Sequence, residues 1–101
     1  MTDKTQDLQQ LISLSRTMQE KARDESWDDV FVLEAERSEL IRLFFLEPVQ
    51  QAYADAVAAG IRSIMEIDQD IMALGALKRF DLAQTLQTLD QGKKAVKAYT
   101  A

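Results

Sequence analysis

Apolar residues recur at three- and four-residue steps along almost the whole chain, and no stretch alternates strictly between apolar and polar. This spacing predicts helices and no strands. Leu8, Leu11, Ile12, Ser15, Met18 and Ala22 share one face of a first helix over about 5–24. Residues 1–4 form its frayed end, although Asp3 and Gln6 have the spacing of a capping box. Ser26 is a start signal, because its hydroxyl can accept an orphan backbone N–H and Asp28 and Asp29 suit the first turn. A second helix is expected over 26–45, with Trp27, Val30, Leu33, Ile41 and Phe44 on one side and Phe31, Leu40 and Phe45 at its margins. The connection is so short that the two helices should pack antiparallel.

Pro48 fits the first turn of a third helix, where its missing N–H costs nothing. The pattern then stays helical to about residue 91, with Tyr53, Val57, Ile64, Ile71, Leu82, Leu86 and Leu89 on one stripe. Gly60 and Gly75 fall on that stripe. Each costs about 1 kcal/mol of helix propensity and permits close approach of a neighbour. A break at Gly75 would give four helices, but no cap or proline accompanies it. Gly92 is read as the end of the helix, leaving residues 93–101 as a basic tail with apolar Val96 and Tyr99. That tail is either a solvated end or a short helix that docks reversibly. The fold class is therefore all-α: an antiparallel bundle of three long helices, the third about twice as long, plus a short C-terminal tail or helix. At 1.5 Å per residue the first two helices are ~30 Å long and the third ~60 Å. Two short helices cannot cover the long one, so its unmatched half needs a second copy, a partner protein or the tail.

Composition narrows the chemistry. The 101 residues fit one domain. There is no cysteine, so thiol nucleophiles, disulfides and iron–sulfur sites are excluded; there is no histidine, so imidazole bases and the common zinc sites are excluded as well. The net charge of −5 argues against direct nucleic-acid binding. The longest strongly apolar run, residues 43–46, is far below the ~20 residues of a membrane helix, and the polar first ten residues do not read as a signal peptide. A cytoplasmic protein without membrane insertion is expected.

No phosphate loop or nucleophile elbow occurs, and no enzyme, cofactor or metal is expected. Asp24, Glu25, Asp28 and Asp29 around Trp27 read as solvated helix caps. Glu34 and Arg37 lie on the core side of the second helix and Asp68 at the edge of the third helix's stripe, so the three could form a polar network that fixes helix register. Met65, Met72, Ala76 and Phe80, with Leu77 further round, form an extra apolar stripe beside the core stripe. Methionine suits surfaces that accept varied apolar partners, so the stripe is either a homodimer seam or second packed face, or a groove for a partner's amphipathic helix.

The chain resembles the FliT family of flagellar type III export chaperones. The resemblance rests on Leu11-Ile12-Ser13-Leu14-Ser15, on Trp27 with its acidic neighbours, and on Leu33-Glu34 and Arg37 before Leu40-Ile41. It continues through Ile67-Asp68 and the leucine-rich helix that follows, and ends on Lys94 and Ala98-Tyr99. It implies a cytoplasmic, non-enzymatic chaperone for the C-terminal segment of the filament-cap protein, delivered to the export ATPase complex. In some bacteria the family also restrains the flagellar master transcription regulator. It implies as well that Val96, Ala98 and Tyr99 belong to a regulatory tail, and that Met65, Met72, Ala76, Leu77 and Phe80 bind the partner. This chain stops two residues after Tyr99, so its tail is expected to dock weakly. The alternatives are a structural helical homodimer or coiled coil, and a chaperone for hook–filament junction proteins.

Overall fold

The computed structural model describes the backbone of residues 4–100 and the side chains of 4–80, 83, 84 and 87. It has three helices, α1 (Lys4–Arg23), α2 (Trp27–Phe44) and α3 (Ala54–Thr100), with a single 3-10 turn at Gln51–Tyr53 before α3. α1 is the hub: it packs against both α2 and α3, whereas the backbones of α2 and α3 stay apart. Its buried residues, Leu8, Leu11, Ser15, Met18 and Ala22, are the stripe expected from the sequence, with Ile12 at its edge.

The connection between α1 and α2 is closed by the backbone. Glu25 adopts φ 61°, its N–H bonds to the Ala22 carbonyl at 3.1 Å, and the Ser26 N–H bonds to the Lys21 carbonyl at 2.8 Å. This pair of bonds is the Schellman arrangement, usually built on glycine because other residues are strained there. It also corrects the reading of Ser26. The Ser26 backbone (φ −85°, ψ 63°) serves the end of α1, and its hydroxyl makes no cap bond to α2. Asp28 and Asp29 still place negative charge in the first turn.

Lys4 ties down the far end of α2. Its Nζ donates to the Phe44 carbonyl and, at 2.8 Å, to the Glu47 carbonyl, and lies 4.4 Å from the Phe44 ring centroid. Pro48, expected inside the third helix, instead stands in a linker before it. Gln50 is extended (φ −67°, ψ 144°), and α3 starts six residues after Pro48, at Ala54. The extended linker lets Val49 pack on the core while the chain reverses.

The core is in two parts. Leu8, Leu11, Phe44, Val57 and Ile64 form one cluster, flanked by Ile12, Leu40, Ile41, Val49 and Ile61. Met18, Ala22 and Val30 form the other, flanked by Trp27, Leu33, Ile71 and Leu74. α3 is continuous through both Gly75 and Gly92, so its bounds extend beyond the end expected near residue 91. One glycine between good helix formers costs only about 1 kcal/mol, too little to end a helix unaided. The side chains of Leu82, Leu86, Leu89, Val96, Ala98 and Tyr99 lie outside the described residues. The molecule measures 75 × 20 × 20 Å, most of that length being α3.

The two core glycines have different reasons to be there. A Cβ at Gly60 would sit 2.7–2.8 Å from three side-chain carbons of Leu8, whereas one at Gly75 would meet only the Trp27 ring at 3.6 Å. Gly60→Ala should therefore destabilise the fold, overpacking of about 1–3 kcal/mol outweighing the gain in propensity. Gly75→Ala should stabilise it by about 0.5–1 kcal/mol. Thermal unfolding followed by circular dichroism would give shifts of opposite sign. In the same assay Glu25→Gly should raise stability by about 1 kcal/mol, by relieving the left-handed backbone of a residue with a side chain.

Candidate functional site

Between the two apolar clusters lies one polar layer that joins all three helices. Arg37 on α2 presents a fork to Asp68 on α3, with Nη1 to Oδ1 at 2.7 Å and Nη2 to Oδ2 at 3.1 Å. Nη1 also donates to Ser15 Oγ on α1 at 3.0 Å, and the Ser15 hydroxyl, with no exposure at all, donates to the Leu11 carbonyl at 2.9 Å. Arg37 is 11% exposed and Asp68 35%. The sequence reading grouped Glu34 with these two. In the structure Glu34 is exposed and has no hydrogen bond or ion pair among the described residues; Ser15 takes the third place. From the sequence Ser15 was only a member of the shared face of the first helix, and its place opposite Arg37 reveals the polar role.

A second set of polar contacts fixes α3 along the other side of α1. Gln19 Nε2 donates to Asp70 Oδ2 at 2.6 Å, and Arg23 lies 3.3 Å from the same oxygen. Beyond it, Lys78 pairs with Glu25 at 3.7 Å. The α1–α2 turn thus meets α3 near Gly75 and Lys78, and the rest of α3 extends past it.

The apolar stripe expected on the third helix is on the surface. Met65, Met72, Leu77 and Phe80 are 56–70% exposed, and Ala76 is exposed as well. Leu77 lies over the α1–α2 turn, lining a hollow of about 210 Å³ with Ala22, Arg23, Glu25, Trp27, Leu74 and Lys78. Met72 lies one turn before Gly75, which faces Trp27 of α2, so Met72 and Met65 run along the α2 side of α3, with Ala76 and Phe80 further round. Phe31 follows Trp27 by one turn on α2 and is 64% exposed. The two helices meet through side chains, Trp27, Val30 and Leu33 of α2 against Ile71 and Leu74 of α3. Phe31 read in sequence as a margin residue; its exposure makes it part of the surface.

Other features do not assemble a chemical site. The acidic residues Glu25, Asp28 and Asp29 line a hollow of about 400 Å³ with Ser26 and Trp27, and among the described residues no three carboxylates are arranged to hold a metal ion. The buried indole N–H of Trp27 has no hydrogen-bond partner. A cleft of about 290 Å³ at the other end is lined by Lys4, Asp7, Leu11, Leu40, Phe44 and Glu47 among others. On the outer face of α2, the Arg42 guanidinium forks onto Glu39 and holds its carboxyl below the usual carboxylate range. No helix is long and apolar enough to cross a membrane among the described residues.

The family model described as flagellar protein FliT matches residues 5–101. The chain belongs to the FliT family. No curated protein and no solved structure matches it. The FliT match spans all three helices, so the polar layer and the exposed apolar side of α3 both fall inside it.

Replacing Arg37 by methionine should cost about 2 kcal/mol, because it strands the Asp68 carboxylate and the Ser15 hydroxyl in a part-buried layer. Adding Asp68→Leu to Arg37→Met should recover much of that loss, an apolar pair of similar volume being an adequate substitute. Urea unfolding of the two variants would measure both.

Proposed function

We propose that this protein is a cytoplasmic flagellar export chaperone that binds and shields the C-terminal segment of the filament-cap protein and delivers it to the export ATPase complex. The observation that carries the reading is the exposed apolar side of α3, Met65, Met72, Ala76 and Phe80, in a chain of the FliT family. An amphipathic helix of the client would lay its apolar face on this surface and on Phe31 of α2, through spaced anchors. Two flexible methionines suit that task. Leu77, over the α1–α2 turn, would contact the client as well. The role is binding, not catalysis. Restraint of the flagellar master transcription regulator, and gating by Val96, Ala98 and Tyr99 at the end of α3, are further parts of the same proposal.

A second reading rests on the length of α3, which extends past the α1–α2 turn: two copies would cover each other's projecting ends. Light scattering of the free protein would report a doubled mass in that case, and an unloaded monomer would dismiss it.

Calorimetric titration with the C-terminal segment of the filament-cap protein from the same organism tests the main reading. Saturable binding at micromolar affinity or better is the expected result. Each buried anchor contributes about 1.5–3 kcal/mol, so Met72→Asp or Phe80→Asp should weaken binding by tenfold or more while leaving the helical signal and unfolding temperature unchanged. No binding by the wild-type chain would sink the cap-protein assignment; hook–filament junction proteins would then be the next clients to titrate. A chain ending at residue 91 that binds more tightly than the full one would establish the tail as a gate.

A further inference from the structure

The chain carries four methionines and no cysteine, so thioethers are its only sulfur groups. The structure sorts them by access to solvent. Met18 is 2% exposed, inside the cluster it forms with Ala22 and Val30, whereas Met65 is 56% exposed and Met72 70%. Met1 lies outside the described residues. Met65 and Met72 are two turns apart on α3, about 10 Å along the axis, so they share one side of the helix. Neither belongs to the two apolar clusters that hold the helices together. A chemical change at these two sulfurs therefore alters the surface of α3 and leaves the core untouched. An exposed thioether is open to oxidants, and its sulfoxide can be reduced again.

We propose that Met65 and Met72 are a reversible oxidation site, with a peroxide as oxidant, that weakens the hold of α3 on its client. This inference rests on the reading of the exposed apolar side of α3 as the client surface. The sulfur lone pair attacks one peroxide oxygen. An S–O bond forms as the O–O bond breaks, and the departing hydroxide takes up the remaining proton as water. Sulfur loses two electrons and the peroxide gains them. A thiol-dependent reductase reverses the change, two thiols passing to a disulfide as the oxygen leaves in water. The sulfoxide puts a polar acceptor where a flexible apolar sulfur stood. In the free chain water solvates that acceptor, so the fold is unaffected. Against an apolar client face it loses its water and finds no donor, which costs binding free energy. Buried Met18 is shielded from the same oxidant, so the core keeps its packing.

The test treats the full-length chain with hydrogen peroxide, removes the peroxide, and titrates treated and untreated samples with the filament-cap C-terminal segment. Peptide mass spectrometry should show Met65 and Met72 gaining oxygen at least about tenfold faster than Met18. The helical signal and unfolding temperature should not change. The chain oxidised at both positions should bind about tenfold more weakly, and methionine sulfoxide reductases with dithiothreitol should restore its affinity. Met65→Leu/Met72→Leu, compared with its own untreated sample, should lose nothing on treatment. Equal oxidation of Met18, a lowered unfolding temperature, affinity unchanged by oxidation at both positions, failure of the reductases to restore it, or an equal loss in the leucine variant would each overturn the inference. Absence of binding by untreated wild type would overturn the client reading and this inference with it.

Discussion

The Arg37–Asp68 fork, anchored on Ser15, is the contact on which the arrangement of this protein depends. Apolar burial alone would hold three helices together but would not choose their register, since leucine and isoleucine tolerate sliding by a turn. A guanidinium fork tolerates none. Its position between two small apolar clusters means that each cluster is aligned by the same layer. It also links α2 directly to α3, beside the apolar contacts that the two clusters make between them.

That division of labour leaves apolar area on the surface. A chain of this size has a modest core in any case. Here α1 is covered on two sides, while α3, among the described residues, is covered on one. Phe31 on α2 and Met65 and Met72 on α3 are exposed apolar side chains that this arrangement leaves on the surface. In the reading offered above, they meet the client.

Much of this was legible in the sequence, and the gaps have physical causes. The buried face of α1 could be read residue by residue, because a helix covered on two sides shows a clean stripe. Arg37 and Asp68 could be paired from their positions, but Ser15 could not, since a buried hydroxyl shows its value only beside its partner. Ser26 looked like a side-chain cap because local sequence does not show that its backbone is already committed to closing α1. Glu25 gave no glycine signal for its left-handed turn. Pro48 fitted a helix start and an extended linker equally well, and tertiary packing of Val49 decided between them.

The length of α3 has a hydrodynamic consequence. The radius of gyration is 20.8 Å, whereas a compact domain of this length would have one of roughly 13 Å. A single copy therefore tumbles and diffuses like a considerably heavier globule. It would leave a sizing column early, at the volume where a compact dimer is normally placed, and only a shape-independent mass distinguishes the two.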